Sequence, residues 1–260
     1  MSDGVFSFLL DGANWTFANP DGFPQRILEH LGYTALALVI GFLIAFPIGL
    51  LIGHTGKGSF LAINAGNAGR ALPTLGVLML VVGLVGTGLM PVTVALVLLA
   101  IPPILTTTYA GIRSVDPATV DAARGIGMTE RQTVLGVELP NALPIIIGGV
   151  RNAALQVIST ATIAAYVGLG GLGRYLFDGL SLQDYGRVVA GCVVIAVLAV
   201  LLDLSLAALQ RMVVSPGVDG RAARGGRRTS STSSGSAAGS AMAGAGAPSE
   251  GAGDHHTDEG

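Results

Sequence analysis

Charge is what this chain has least of. Across its 260 residues, Asp, Glu, Lys and Arg make up 12%, against roughly a quarter in an ordinary soluble domain. Hydrophobic residues make up 51% and the mean hydropathy is +0.67, so polar side chains are too few to coat a globule in water. Composition points to an integral membrane protein. The net charge of −2 gives no case for a nucleic-acid or acidic partner. One cysteine, Cys192, excludes an intramolecular disulfide. It sits in an apolar run and reads as a small filler, not as a redox or metal residue. No basic residue precedes Arg26, so the N-terminus lacks a basic n-region and a cleavable signal peptide is not expected. A Walker lysine motif is missing as well: Lys57 in "GHTGKGS" lacks the required spacing, and the chain has no evident means of hydrolysing ATP.

What the chain does have is long uncharged runs. About 20 apolar residues cross a bilayer as a helix, and Leu31 to Gly53 carries no charge. Between Arg70 and Arg113 the only ionisable side chain is Tyr109, a stretch suited to two spans with a turn at "VGTGLMP". These runs predict spans at 31–53, about 60–85, about 91–112, about 138–167 and about 187–209. Lys57, Arg113, Arg124, Arg131, Arg211 and the tail arginines fall on one side of such a bundle; Arg26, Arg174 and Arg187 fall on the other. The positive-inside rule then places the N-terminus outside and the C-terminus in the cytoplasm. The predicted organisation is an extracytoplasmic segment at 1–30, a transmembrane domain at 31–212 and a disordered cytoplasmic tail at 213–260. From Ser215 the tail is Gly/Ser/Ala-rich and has no pattern that buries apolar surface. Its His255–His256 pair has no further ligands at site spacing, so no metal is expected, nor any cofactor.

A polar stretch interrupts the apolar ones: "DAARGIGMTERQTVLGVELP", residues 121–140. Asp116 followed by Pro117 is a helix start. Gly125 and Gly127 suit a left-handed exit. Thr129 with Gln132 has capping-box spacing for a second short helix, and Pro140 marks the start of the fourth span. The stretch reads as a helix–turn–helix on the cytoplasmic face. Asp121, Ala122 and Ala123 read as its most exposed part, where two alanines would allow a partner's groove to approach closely. An ordinary capped connecting loop satisfies the same spacing.

The stretch resembles the signature loop of bacterial ABC importer permeases: Glu-Ala-Ala, three residues, Gly, nine residues, Ile, any residue, Leu-Pro. The matching positions are Asp121, Ala122, Ala123, Gly127, Val137, Leu139 and Pro140, with Asp for Glu and Val for Ile. "RALPTLGVLMLVVGLVGTG", "LVLLAIPPILTTTYAGIRSVDP", "LPIIIGGVRNAALQVISTATIAAYVGLGGLG" and "FDGLSLQDY" extend the likeness, over about residues 25–212, to the glycine betaine/choline osmoprotectant branch. The resemblance implies an all-α, polytopic, MetI-like type I permease bundle of about five transmembrane helices in the cytoplasmic membrane. Its implied partners are a separate cytoplasmic ATPase reached through the coupling loop, a second permease subunit and an extracytoplasmic solute-binding protein. The implied solute is an osmoprotectant such as glycine betaine, choline or carnitine. Methionine or another amino acid is the near alternative, and a stand-alone secondary transporter or channel the distant one.

Three further signals are weaker. "GLGGLG" (168–173) matches the dinucleotide fingerprint in letters only, because it follows an apolar span and not a strand. It reads either as an outer loop approaching the binding protein or as a flexible turn. Arg151, roughly 20 Å along a helix from Glu138, is too deep for easy snorkelling; it either lines the translocation pathway or pairs with polar groups. Arg70, nearer the cytoplasmic end, snorkels, pairs or shares that pathway. Aromatic residues are 5% of the chain and do not cluster in the spans, so no cage for a quaternary ammonium is expected there.

Overall fold

The computed structural model describes residues 2–71 and 73–213, which fall within one compact unit, Met1–Val214. The tail from Ser215 onward, with its arginines and the histidine pair, lies outside the described residues, as does the side chain of Arg70. All regular structure among the described residues is helical: α1 (Ser2–Leu10), α2 (Phe23–Thr55), α3 (Ser59–Ala71), α4 (Thr74–Val85), α5 (Leu89–Arg113), α6 (Pro117–Gly125), α7 (Glu130–Thr133), α8 (Leu139–Thr160), α9 (Gly173–Ser181) and α10 (Tyr185–Val213). A 3₁₀ turn at Gly12–Trp15 follows α1, a π turn at Val134–Glu138 joins α7 to α8, and a 3₁₀ stretch at Ala161–Val167 follows α8.

Four helical stretches are long and apolar enough to span a membrane: Phe23–Thr55, Leu89–Arg113, Glu130–Val167 and Tyr185–Met212. They contain the predicted first, third, fourth and fifth spans. The second differs. Residues 60–85 do not form one helix but α3 and α4, which meet at Pro73 in extended geometry (φ −76°, ψ 93°). A proline cannot donate to the helical ladder, so the run breaks there. Two other segments hold more structure than expected. The glycine-rich stretch after the fourth span contains α9, and the N-terminal segment contains α1 and the first turns of α2.

Small residues determine how the bundle packs. On α2, Ala37, Gly41, Ala45, Gly49 and Gly53 recur every fourth residue and are all buried. On α5, buried Ala100, Ile104, Thr108 and Ile112 repeat at the same interval. The two rows lie nearly backbone to backbone. A Cβ added at Gly41 would stand 2.9 Å from the Ala100 Cβ, and one at Gly53 2.8 Å from the Ile112 Cβ. Close approach of this kind is how helices associate where the surroundings are as apolar as the interface. On its other side α5 meets α8, where Gly111 packs on Ala142 and Gly149 on Thr107. Leu78, Val92, Leu96, Ile104 and Val157 fill the space between these helices. Two α5 hydroxyls are satisfied within the helix: Thr106 donates to the Pro102 carbonyl (2.8 Å) and Thr107 to that of Pro103 (2.7 Å). Cys192 is exposed on α10, so it fills no core gap.

Candidate functional site

The polar loop between α5 and α8 folds through its own caps. The Asp116 carboxylate accepts from the Ala118 N–H at 2.9 Å and starts α6. At the other end, the Gly127 N–H donates to the Arg124 carbonyl and the Met128 N–H to that of Ala123, the paired bonds of a Schellman stop. Gly127 takes the left-handed conformation this needs (φ +88°), whereas Gly125 stays helical. Thr129 and Gln132 form the capping box in both directions. The α7 helix then passes through the π turn into α8 without a break. Replacing Gly127 with valine is expected to cost about 1–2 kcal/mol, the penalty of a left-handed residue bearing a Cβ. Gly125→Ala, in open space on a helical backbone, is expected to be neutral or slightly stabilising. Thermal unfolding of the two purified variants checks the contrast.

Burial corrects one expectation about this loop. Asp121 and Ala122 are exposed, but Ala123 is buried, together with Val120. Those two seat α6 against the rest of the chain. The free face carries Ala118, Thr119, Ala122 and Ile126 instead, at the spacing of one helical stripe. Ile126, at the tip, is 82% exposed, the barest large apolar side chain in the loop. Of the remaining signature positions, Val137 and Leu139 are half-buried and Pro140 is exposed. Beside the α6–α7 turn, Met128, Arg131, Gln132 and Leu135 line an open groove of about 690 Å³.

Under α6 runs a chain of ionic contacts that the sequence did not announce. Arg124 donates to Glu130 at 3.0 Å, and this carboxylate raises the guanidinium above its usual pKa. Glu130 lies 3.1 Å from His54 Nε2, at the last turn of α2. The other ring nitrogen, Nδ1, is 2.8 Å from the carboxylate of Glu138, which is buried in the π turn. A cavity of about 180 Å³ beside the chain is bounded by His54, Arg113, Val120, Asp121, Arg124 and Glu138.

Between α8 and α10, Arg151 meets Asp203 in a two-pronged, partly exposed ion pair. Its Nη2 donates to Asp203 Oδ2 at 2.6 Å, and its Nε donates to Oδ1. The opposite end of the bundle is tied differently. Glu29 of α2 accepts from the Gly171 N–H at 2.7 Å and from Arg26 at 2.9 Å, which fastens the glycine-rich loop. Gly173 lies so close to the Thr162 backbone that a Cβ would come within 2.1 Å of its carbonyl oxygen. Phe8, Phe23 and Tyr175 cluster there, with Trp15 on Phe23. Burial pushes the Tyr175 phenol up to about 12, and the hydroxyl donates to the Asp21 carbonyl at 2.6 Å. The cluster is no free cage, because the Arg187 guanidinium already sits 5.5 Å from the Tyr175 ring and 6.0 Å from that of Phe8. Among the described residues, no group of three or more His, Cys, Asp or Glu side chains could hold a metal ion.

A bundle with these spans and a capped loop between two of them can be compared with known families. The model for the binding-protein-dependent transport system inner membrane component matches residues 37–215, which takes in every candidate position from Arg70 to Arg151. The chain belongs to that family. It is a multi-pass inner-membrane transport permease. The glycine betaine/carnitine/choline transport system permease protein OpuCB of Bacillus subtilis is 37% identical over 74% of this chain and 88% of its own length. The choline transport system permease protein OpuBB of the same organism is also 37% identical, over 74% and 89%. The osmoprotectant import permease protein OsmW of Salmonella typhimurium is 32% identical over 80% of this chain and 100% of its own. Among solved structures, the MetNI methionine ABC transporter in an inward-facing form superposes with a TM-score of 0.68 at 21% identity, covering 79% of this chain and 99% of that one. At that identity the likeness establishes the fold, a type I permease bundle.

Proposed function

We propose that this permease is the membrane subunit of an ATP-driven importer for small osmoprotectants of the glycine betaine, choline and carnitine class. A separate ATPase docks on α6, and a solute-binding protein delivers from outside to a dimer of permeases. The observation that carries the docking is the free stripe of α6. Alanine at 118 and 122 leaves the helix backbone open to a partner, Ile126 offers an apolar knob, and the opposite face is occupied by the chain's own packing. ATP binding closes the ATPases, draws the two α6 helices together and rocks the bundle between its two openings. The orientation that fits has α6 and α7 in the cytoplasm and the glycine-rich loop outside, in keeping with the distribution of Lys and Arg. The 1–30 segment is then extracytoplasmic, and the region from 213 onward a cytoplasmic tail.

Solute selection belongs to the binding protein, because the largest aromatic cluster among the described residues already holds Arg187. The relatives named for choline, carnitine and betaine favour that class over methionine. Arg151 serves as a structural partner of Asp203, with Arg70 left as the candidate pathway cation. The test is uptake of labelled choline, glycine betaine, carnitine and methionine by the permease expressed with its ATPase and binding protein. Methionine uptake alone would overturn the solute class.

The mechanical half is tested by Ala122→Phe. Extra volume on a docking face is expected to abolish co-purification of the ATPase and to cut uptake at least tenfold, with membrane abundance unchanged. Normal transport by this variant would remove α6 as the dock. Thiol labelling of Gly125→Cys from inside and Leu180→Cys from outside, in a Cys192→Ser background, reads the orientation; reversed accessibility refutes it.

A further inference from the structure

We propose that His54 is a positioning residue that locks the coupling loop to α2 as a bridge between Glu138 and Glu130, so that motion of α6 is passed to the membrane helices through it. The inference rests on the docking of an ATPase at α6. Four observations carry it. His54 stands in the last turn of α2, which packs closely along α5. Its two ring nitrogens face carboxylate oxygens on two different elements, Glu138 of the π turn at 2.8 Å and Glu130 of α7 at 3.1 Å. Glu130 in turn holds Arg124, which belongs to α6. Glu138 is 5% exposed, so water does little to compensate it if its partner leaves.

The chemistry follows from counting protons. A neutral imidazole has one N–H and one lone pair. Placed between two carboxylates, it attracts one and turns its lone pair toward the other. With an N–H on each nitrogen, the ring donates to both sides. The other charged groups around the neighbouring cavity are Arg113, Asp121 and Arg124. Arg124 neutralises Glu130, which leaves Glu138 as the carboxylate that depends chiefly on His54. The π turn gives the bridge its geometry: the extra residue in that turn is what a regular helix would lack, and such turns recur at functional sites.

The role predicted is transmission, not docking. None of the residues on the free stripe of α6 is among the bridge contacts, so removing His54 leaves the dock in place but loosens its connection to α2. The experiment uses the assembled transporter, permease with ATPase and binding protein, in proteoliposomes, and reads solute moved per ATP hydrolysed. His54→Leu is expected to retain its ATPase and to hydrolyse ATP within about twofold of the unsubstituted complex, while solute moved per ATP falls at least tenfold. His54→Lys, a permanent cation within reach of both carboxylates, is expected to recover at least half of that ratio. An unchanged ratio in His54→Leu would overturn the proposal, as would failure of His54→Lys to rescue a stably inserted protein. If His54→Leu loses its ATPase, the residue supports docking and the transmission role is refuted. Failure of the docking idea itself is read separately, from a normal Ala122→Phe.

Discussion

Asp203→Leu is expected to reduce the folded, membrane-inserted permease about tenfold, and Arg151→Leu/Asp203→Leu to restore most of it. The two side chains come from α8 and α10 and meet through two parallel contacts, with about a third of the arginine and a quarter of the aspartate exposed. A paired guanidinium and carboxylate present a near-neutral surface to an apolar medium, whereas either one alone is a bare charge. Removing one partner therefore costs more than removing both. Arg151→Leu alone should behave as Asp203→Leu does, since the deserted aspartate is no easier to accommodate. Membrane abundance, together with monodispersity on size exclusion in mild detergent, measures the cycle. Equal damage from the single and double substitutions would mean that the pair is more than a mutual neutralisation, and the pathway role for Arg151 would regain its standing.

Gly49→Leu is the second substitution with a large expected effect, a loss of about 3 kcal/mol or more, at or beyond the upper end of ordinary overpacking. A Cβ at this position would lie 2.8 Å from the Thr108 Cβ and 2.9 Å from the Leu105 carbonyl oxygen. One of those neighbours is backbone of a long helix, so no rotamer change relieves the contact; α2 and α5 must move apart. That separation would also open the contacts at Gly41 and Gly53, which lie two turns and one turn away on the same row. Gly32→Leu, on the same helix with open space around the glycine, serves as the control and should be tolerated. Thermal midpoints of the purified proteins decide it, and a Gly49→Leu protein as stable as Gly32→Leu would show that the two helices are not packed as closely as described.

Local chemistry was legible in the sequence. Asp116, the Thr129–Gln132 box and Gly127 each act over two to five residues, so the start and stop signals of α6 and α7 could be read in place. The uncharged runs were legible for the same reason, because a bilayer-length apolar segment is a property of one window. The failures also have a pattern. Pro73 was visible, but the apolar run continued across it, and hydropathy alone concealed the break between α3 and α4. The α1 and α9 helices have only nine residues each, too few to be stable alone. They exist because Phe8, Phe23 and Tyr175 pack together, a cluster assembled from three separate segments.

The amino-acid sequence by itself determined that this chain is a membrane-embedded α-helical protein, and the twenty-residue signature loop pointed to the transport family that it belongs to. It could not determine which side of α6 is free. Ala122 and Ala123 are equivalent in composition and adjacent, and only the packing of α6 on its neighbours buries the second and leaves the first exposed. Nor could it pair Arg151 with Asp203, 52 positions apart, or His54 with Glu138, 84 positions apart. A side chain's chemistry states what kind of partner it needs; the rotation and register of packed helices decide which residue supplies it. That register is a collective property of rows such as Gly41, Gly49 and Gly53 against Ala100, Thr108 and Ile112, and so it was settled only in the tertiary structure.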